Sequence, residues 1–543
     1  MKTKTEAETP ATVGLADLRS KPFFEQVMLL SQIDRDRPRA MIPELFELVR
    51  HPLTDPAVAN MVEDVLKGLL AGEEFEVVSR LGTGEARERR FLFEVVKRYH
   101  FSAAVDPLVK LLDEVKDTAT QYEILMTLSE IPAACQLPLF RDRINHPDPL
   151  IAALAIEMLG PGLDEAVLPK LFRIIEANED LDRYHECALQ TAKAIEALGR
   201  SPTPEVITFL AAKIHHRNPT ARQLIHEALA GVGAEAVPAL ARAFDGDDLD
   251  MQIMAANILG EIGDRHGGDV MLAAMDRGTI QDANVRFAIY EAFGRIRFLK
   301  GLICLMDALD EPDDMCLLAV VGALDQELNS AVIDRLRGRL LPGDEAAHRL
   351  ARAVAAAHAL HVFTALYPDP VAGPLLIDTI AAAGDPDLAV FFLGALEQMA
   401  EVRRPGDADR LKNVAVRSGG PRILAVDDSK SMILFYRSVA AAAGLEIVTA
   451  GNGQEALNLL ERGERVDLVV SDMNMPEMNG IELVRKIRSR MEWQGLNVIM
   501  VTTESETSQV ELARRVGVNA FLRKPFQPEA LREKIAELTG RHN

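Results

Sequence analysis

The chain has 543 residues, of which 48% are hydrophobic, 5% aromatic and 26% charged, and its formal net charge is −22. A chain of this length is too long for one hydrophobic core, so we expect more than one domain. The acidic balance argues against a nucleic-acid groove and favours protein partners.

Targeting signals and cysteine usage indicate the compartment. The N-terminus lacks the pattern of a signal peptide, and we find no apolar run of membrane-spanning length, so we expect no membrane insertion. The cysteines have neither metal-site nor disulfide spacing and are interpreted as buried thiols in a reducing compartment. They are Cys135, Cys187, Cys304 and Cys316. We therefore predict a cytoplasmic protein, with a disordered N-terminal tail over residues 1–19.

Residues 20–401 contain a repeating proline signal. Apolar helix patterns open around prolines that are 31 to 35 residues apart, at Pro107, Pro138, Pro169, Pro204 and Pro238. A second signal places a capping residue or turn former before a proline, as at a helix start. It occurs at Asp55-Pro56, His146-Pro147, Asn218-Pro219 and Asp385-Pro386. Small residues end the second helices, as in Leu159-Gly160, Leu198-Gly199, Leu229-Ala230-Gly231 and Leu259-Gly260.

Each unit is therefore interpreted as a helix pair of about 33 residues whose apolar face needs its neighbours. The pattern resembles HEAT-type repeats, and this resemblance predicts an all-α HEAT-type solenoid over residues 20–401. Tetratricopeptide and ankyrin arrays share the period, but we find neither of their signature patterns. An irregular all-helical bundle remains the alternative.

One enzymatic interpretation of the repeats rests on two His-Glu pairs. His185-Glu186 and His226-Glu227 resemble the pairs with which the HEAT-repeat enzyme deoxyhypusine hydroxylase binds two irons. That family needs four such pairs, and we find two, so ordinary polar residues are the favoured explanation. No histidine lies in a recognisable phosphotransfer-helix context, which argues against a phosphodonor role.

Residues 402–420 are predicted to be a linker. Residues 407–416 within it could form a short helix, and Ser418-Gly419-Gly420-Pro421 would break that helix. Residues 421–543 form the last predicted domain, with 16 basic and 17 acidic residues, so the acidic charge belongs to the region before it.

Four apolar runs in this last domain predict buried parallel strands. The run from Ile423 to Val426 ends at Asp427 and Asp428. The later runs end at Asp472, Thr502 and Lys524. Because the carboxyl ends of parallel strands share one edge of a sheet, we expect these side chains to converge in one crevice.

The converging residue types suit phosphoryl transfer. Clustered carboxylates form a hard-oxygen site suited to Mg²⁺. With the metal bound, Asp472 can stay ionised and attack phosphorus as a nucleophile. Lys524 would pair with Asp472 and then with the phosphoryl oxygens, to which Thr502 can donate a hydrogen bond.

Residues 421–540 closely resemble the CheY-like receiver domain of two-component response regulators. The resemblance is carried by Val426-Asp427-Asp428-Ser429, Asp472-Met473-Asn474-Met475-Pro476, Val501-Thr502 and Lys524-Pro525-Phe526. It implies a flavodoxin-like (βα)5 fold, an α/β domain whose parallel sheet has the order 2-1-3-4-5. It also implies that Asp472 is the phosphorylation site.

The same resemblance implies roles for the neighbouring residues. Mg²⁺ would be bound by Asp428, Asp472 and the backbone carbonyl of Asn474, with Asp427 acting mostly through water. Thr502, Lys524 and Phe521 are the implied catalytic and switch residues. Asn474, Thr503 and Glu504 look like those of chemotaxis receivers with short-lived phosphates, so they are expected to tune dephosphorylation.

These features favour a response regulator and leave its output open. In the first hypothesis a histidine kinase or phosphotransfer protein phosphorylates Asp472, and the receiver switches the protein partners of the repeats. The signal would pass through the face that carries Phe521. In the second, the repeats are a constitutive localiser or stimulus-binding input, and the receiver is a chemotaxis-type output or phosphate sink. The third and weakest hypothesis is that the repeats form a metalloenzyme. Only self-phosphorylation and dephosphorylation are expected as catalysis, so we do not expect an enzyme.

Overall fold

The computed structural model describes residues 15, 18–82, 84–132, 138–159, 163–179, 187–399, 401–415, 421–475, 477–502, 513–524 and 526–539. These residues belong to two compact units, residues 1–170 and 171–543. The tail predicted over residues 1–19 falls mostly outside the described residues. Within it, Leu15 and Leu18 are buried, and Leu18–Ser20 forms a 3₁₀ helix.

The first unit is helical. Its helices are α1 (Phe23–Asp36), α2 (Ile42–Arg50), α3 (Pro56–Leu69), α4 (Glu74–Leu81), α5 (Ala86–Tyr99), α6 (Val105–Glu114), α7 (Thr118–Ser129), α8 (Pro138–Asp142) and α9 (Pro149–Glu157). Helix α3 packs on α1 and α2, α5 on α2 and α4, and α7 on α5 and α6. These contacts bury an apolar core that includes Phe46, Leu66 and Leu92.

The second unit begins with a longer series of helices. They are α10 (Leu168–Ala177, which starts before the boundary), α11 (Leu189–Arg200), α12 (Pro204–Ala212), α13 (Pro219–Val232), α14 (Val237–Leu240), α15 (Leu249–Ile262), α16 (Arg265–Asp276), α17 (Ala283–Ile296), α18 (Leu299–Asp307), α19 (Asp314–Gln326), α20 (Ser330–Leu340), α21 (Glu345–Ala356), α22 (Leu360–Leu366), α23 (Ala372–Ala383), α24 (Pro386–Gln398) and α25 (Asp407–Ala415). Helices α11 to α25 are called the helical region below.

Two layers of helices build the helical region. The odd-numbered helices from α11 to α25 form one layer, in which each packs on the next odd-numbered helix. The even-numbered helices from α16 to α24 form the other layer in the same way. Close approach needs small residues: a Cβ on Gly260 would lie 2.9 Å from Ala292, and one on Gly294 would lie 2.9 Å from Ala323. The structure confirms a mostly helical region, and its assignment to HEAT-type repeats stays a prediction.

The proline signals mark helix starts with one exception. Asp55, Asn218 and Asp385 cap α3, α13 and α24, each accepting a backbone N–H of the first turn, with proline as the first helical residue. The helix expected after His146-Pro147 instead begins at Pro149, where Asp148 provides the cap. The carboxylate of Asp148 is the better acceptor for these N–H groups, and this moves the start by two residues.

One segment has the length and composition of a membrane span, although the sequence analysis expected none. It is Pro219–Asp245. The chain changes direction within it at Gly233, whose φ is 75° and which caps α13. Helix α13 packs on α11 and α15, with Ile225 and Leu229 fully buried, so this apolar surface serves the packing of the helical region.

The predicted linker is partly a packed helix. Helix α25 contacts α23 and α24, and the Tyr367 hydroxyl donates a 2.9 Å hydrogen bond to Asp407. Residues 407–415 of the predicted linker, where the sequence suggested a short helix, therefore belong to the helical region. Residues 416–420 lie outside the described residues.

Residues 421–539 form an α/β domain. Its strands are β1 (Arg422–Val426), β2 (Glu446–Ala450), β3 (Leu468–Asp472), β4 (Asn497–Thr502) and β5 (Ala520–Arg523). All neighbouring strands are parallel, and the order β2-β1-β3-β4-β5 confirms the prediction. The described helices around this sheet are α26 (Lys430–Ala442), α27 (Gly453–Glu461), α28 (Gly480–Ser489) and α29 (Pro528–Thr539).

Candidate functional site

The strand ends bring the predicted site residues together. Register pairs Asp472 with Val501 and Thr502 with Arg523, so the ends of β3, β4 and β5 lie side by side. The Lys524 backbone N–H donates to the Thr502 carbonyl at 2.8 Å, which extends the ladder by one residue. The lysine is thereby fixed at the same edge as the acids that follow β1.

Lys524 joins two of these acids. Its Nζ donates to Asp472 Oδ1 at 2.7 Å and to Asp427 Oδ2 at 2.9 Å. Burial alone would lower the pKa of Lys524, but the charges of Asp427 and Asp472 outweigh it and hold that pKa well above its usual range. The ammonium is thus a fixed positive charge beside the Asp472 carboxylate.

Asp427 is enclosed by donors. Its Oδ2 also accepts from the Tyr436 hydroxyl at 3.2 Å, and its Oδ1 accepts from the Ser429 N–H at 3.0 Å. Burial raises the pKa of Asp427 above its ordinary value, and Lys524 opposes that rise. With both carboxylate oxygens bonded, Asp427 is placed to hold Lys524 and to reach a metal through water.

Asp428 faces open space. Its side chain is exposed to a cavity, yet the desolvation by surrounding protein and then the charge of Asp472 raise its pKa. Asp472 is buried, and its Oδ2 accepts the backbone N–H of Asn474 at 2.8 Å. Negative charge is therefore concentrated around Asp428 and Asp472.

This donor set fits a hard divalent cation. Asp428 and Asp472 offer carboxylate oxygens next to the Asn474 backbone, and a cation bound there would offset their negative charge. Among the described residues, no group of three His, Cys, Asp or Glu side chains is placed to hold a metal. A metal here would thus need the Asn474 carbonyl and water in its shell, as the sequence analysis expected of Mg²⁺.

The remaining predicted residues have separate surroundings. Thr502 is buried, with its hydroxyl 3.9 Å from Met473 Sδ. Phe521 is partly buried against the domain's own apolar core, and the Arg514 guanidinium lies 5.9 Å from its ring centre. Thr503 and Glu504, predicted to tune dephosphorylation, lie outside the described residues.

The sequence analysis missed the contribution of the helical region to this site. Arg222 of α13, 4% exposed, donates to the Asn474 side-chain oxygen at 2.7 Å and to the His216 carbonyl at 3.2 Å. Arg222 and Asn474 are 252 positions apart. No local pattern marks such a contact, since Arg222 is one more residue on an amphipathic helix.

Three further contacts join the same two parts of the second unit. The Ser429 hydroxyl donates to Glu291 Oε1 of α17 at 2.6 Å. Thr220 of α13 donates to Glu482 at 2.8 Å and accepts from the Asn479 amide at 3.4 Å. Helix α26 packs on α19, α21 and α23. The helical region thus contacts the strand-end edge and α26.

A cavity of about 650 Å³ lies between these contacts. Its lining includes Asp428, Asp472 and Lys524 on one side and Arg222, Glu291 and Arg295 on the other. Cavities of this size are typical of small-molecule sites in proteins. The edge that carries Asp472 therefore opens into a partly open cleft with two walls.

The His-Glu pairs considered above have different surroundings. His226 lies 3.2 Å from Glu261 of the adjacent helix α15, whereas its sequence neighbour Glu227 is exposed. His185 and Glu186 lie outside the described residues. Of the predicted buried thiols, Cys316 is buried, Cys187 and Cys304 are half-buried, and Cys135 lies outside the described residues.

The sheet order, with acids after β1 and β3, a hydroxyl after β4 and a lysine after β5, defines a receiver-type α/β domain. The family model described as the response regulator receiver domain matches residues 423–536, and through this domain the chain belongs to that family. The CheY-like resemblance in the sequence is thereby confirmed for the C-terminal domain.

Similar proteins include chemotaxis regulators. A chemotaxis protein CheY homolog of Campylobacter jejuni is 39% identical over 120 residues, which cover 22% of this chain and 92% of the relative. Chemotaxis protein CheY1 of Helicobacter pylori is 37% identical over 120 residues, covering 22% of this chain and 97% of the relative. A solved structure of the chemotaxis response regulator CheY4 of Vibrio cholerae is 34% identical, covering 22% of this chain and 99% of that one, with a TM-score of 0.21.

Proposed function

We propose that the chain is a two-component response regulator in which Asp472 accepts a phosphoryl group from a histidine kinase or phosphotransfer protein. The observation that supports this most directly is the 2.7 Å contact between Lys524 Nζ and Asp472 Oδ1 at an edge that also carries Asp428 and Thr502. A nucleophile, a fixed cation and a hydroxyl donor are thus within one crevice.

The residues divide the reaction among them. A carboxylate oxygen of Asp472 attacks phosphorus, the P–N bond to the donor imidazole breaks, and the imidazole leaves with the electron pair. Lys524 compensates the charge on the phosphoryl oxygens, and Thr502 donates a hydrogen bond to them. Asp427 keeps the lysine in place. When bound by Asp428, Asp472 and the Asn474 carbonyl, Mg²⁺ supplies the remaining positive charge.

The lifetime of the phosphoryl group is proposed to be short. Asn474, Thr503 and Glu504 are small or polar at the positions that flank the acceptor in the family, and this leaves a path for an attacking water. Arg222 holds the Asn474 side chain from the helical region. Hydrolysis is then expected to depend on whether that contact is made.

The helical region is proposed to be a HEAT-type scaffold for a protein partner in the cytoplasm. Its contacts with the receiver favour switching over independent action, because Glu291, Thr220 and Arg222 bond directly to the edge that would be phosphorylated. A phosphoryl group at Asp472 would alter those contacts and hence the partners of the scaffold.

Labelling with radioactive acetyl phosphate and Mg²⁺ tests the acceptor. Asp472→Asn should abolish the base-labile label because it removes the nucleophile and keeps the shape of the side chain. Asp409→Asn, at an exposed position of α25, should be labelled like the wild type. Equal base-labile labelling of Asp472→Asn would refute the assignment.

A further inference from the structure

Most of the charged side chains on the helical wall of the cavity beside Asp472 are acids. Five carboxylates of this region face it, and the two cationic side chains on the same wall are Arg222 and Arg295. The carboxylates are Glu227, Glu261, Glu291, Asp313 and Asp325. With Asp427, Asp428 and Asp472 opposite, Lys524 is the one further full positive charge among the described residues of the lining. The space is thus strongly acidic while the receiver contacts the helices.

Glu291 brings the negative charge of the helical wall close to the strand-end edge that carries Asp472. Its side chain is 11% exposed, bonded to Ser429 next to Asp428, and 3.8 Å from Arg295. Glu291 and Asp428 line the same cavity, so the two carboxylates share it. A phosphoryl group on Asp472 would carry nearly two negative charges in place of the single charge of the carboxylate. In a partly desolvated cavity, the resulting repulsion is weakly screened.

We propose that the face of the helical region formed by α13, α17 and α19 is a docking surface for the unphosphorylated receiver, and that docking and phosphorylation of Asp472 oppose each other. The inference rests on the proposed function, since it requires Asp472 to be the acceptor. It adds that the occupant of the face is the chain's own receiver, bound through its strand-end edge and α26.

Access gives a second reason for the opposition. A phosphohistidine on a helix of a donor protein must approach within bonding distance of Asp472. Thr220, Arg222 and Glu291 bond to Asn479, Asn474 and Ser429, in the loops that follow the strand ends. The docked receiver is therefore closed to a protein donor, and undocking precedes transfer.

Two variants separate docking from charge. Thr220→Glu places a carboxylate opposite Glu482, to which Thr220 donates at 2.8 Å, and should undock the receiver. An acid in the first turn stabilises a helix, so α13 should still form. Glu291→Gln keeps an amide for Ser429 and removes the charge, so the receiver should stay docked and tolerate the phosphoryl group. Ala331→Glu, in the exposed first turn of α20, is the matched control.

The test measures hydrogen–deuterium exchange of the full chain with and without beryllofluoride and Mg²⁺. Beryllofluoride, which mimics the phosphoryl group, should raise exchange in residues 219–226 and 287–295 and in α26. Thr220→Glu should show this exchange without the ligand, and Ala331→Glu should not. Both Thr220→Glu and Glu291→Gln should bind beryllofluoride roughly tenfold more tightly, within the range typical of coupling between sites.

Fluorine NMR of bound beryllofluoride distinguishes the two levels of failure. If the bound signal appears in the wild type and exchange in α13 and α17 stays unchanged, the proposed docking switch is wrong and the proposed acceptor stands. Unaltered affinity in both variants would overturn the switch in the same way. If no bound signal forms in the wild type or in Thr220→Glu, the acceptor assignment fails and the inference fails with it.

Discussion

At the scale of single residues, the acid pair, Asp472, Thr502 and Lys524 lie together because the carboxyl ends of parallel strands share one edge of the sheet. Each of these residues is the last of its strand or comes directly after it, so the strand pattern was enough to predict the cluster. The strand pattern alone did not distinguish the surroundings of Asp427 from those of Asp428. Asp427 is bonded to Lys524, Tyr436 and the Ser429 N–H, whereas Asp428 faces the cavity. The family resemblance implied different roles for these adjacent acids, and the strand-end geometry gives the physical basis for the difference.

Other residues of the site could not be predicted from sequence. Arg222 and Glu291 belong to α13 and α17, and neither has a local pattern that distinguishes it from other charged residues on helices. Their role comes from the way the helical region meets the receiver. Tertiary packing decides which side chains meet when they are so far apart in sequence. The spacing of residues within one helix or strand does not encode that packing.

A buried histidine next to the docking face predicts a pH dependence of stability. His216 is fully buried, its Nε2 donates to the Ile175 carbonyl at 3.1 Å, and its Nδ1 accepts the Asn218 N–H at 3.0 Å. The bond accepted by Nδ1 requires the neutral ring, because a protonated Nδ1 has no lone pair to offer. Burial lowers the pKa of His216 in the folded state.

The sign follows from proton binding. The unfolded chain binds the proton more readily, so the stabilisation is complete above the unfolded pKa, about 6.5, and declines as pH falls below it towards the lowered folded value. The urea concentration at the unfolding midpoint should therefore decrease when the pH is lowered from about 7.5 to about 5.5. The decrease should be smaller in His216→Gln. The control is His266→Gln, at an exposed position, in which the urea midpoint should change with pH as it does in the wild type. An identical slope in His216→Gln would contradict this explanation.

At the scale of elements, the structure confirms several helix starts that the sequence predicted. The assignment of these helices to a repeat family stays a prediction. Prolines with a capping residue before them gave the starts of α3, α13 and α24, because the cap bonds are local. The start of α9 was misplaced since two prolines two residues apart compete there, and Asp148 provides the stronger cap. The Leu-Gly signal at Gly199 and Gly260 also has a physical basis, namely the close approach of consecutive helices.

Gly260 allows a direct test of that approach. A Cβ at this position would lie 2.9 Å from both Cα and Cβ of Ala292, so α15 and α17 would have to separate. Gly260→Ala should destabilise the second unit by about 1–3 kcal/mol, as overpacking does. The midpoint of thermal unfolding followed by circular dichroism measures this.

Gly231 provides the control. It lies in α13, and a Cβ there would meet no atom within 4 Å. Gly231→Ala should stabilise the helix by roughly 0.5–1 kcal/mol, since alanine has the higher helix propensity. Equal destabilisation by both substitutions would show that the loss at Gly260 does not come from the contact with Ala292.

At the scale of the second unit, the arrangement of the receiver on the helices was not predicted. The sequence analysis placed communication at the face that carries Phe521, by analogy with the receiver family. The hydrogen bonds described above join the helices to the strand-end edge, at Ser429, Asn474, Asn479 and Glu482. Residues 503–512 lie outside the described residues, and the route through Phe521 stays a prediction. Helix α26 adds its contacts with α19, α21 and α23. Composition could not reveal this, because a receiver can present several faces with similar polarity.

The two routes make different predictions for Phe521→Ala. Phe521 packs against the receiver's own core and beside Arg514, so its truncation should lower the stability of the receiver. If the signal passes through the strand-end edge, beryllofluoride should still raise hydrogen exchange in α13 and α17 of this variant by as much as in the wild type. Leu457→Ala, a truncation in the same apolar core on α27, controls for a general loss of receiver stability. A response lost in Phe521→Ala and kept in Leu457→Ala would return the route to the face predicted from sequence. A response kept in both would mean that the helices sense Asp472 directly, because the groups that touch its surroundings, Arg222 and Glu291, are themselves part of the helical region.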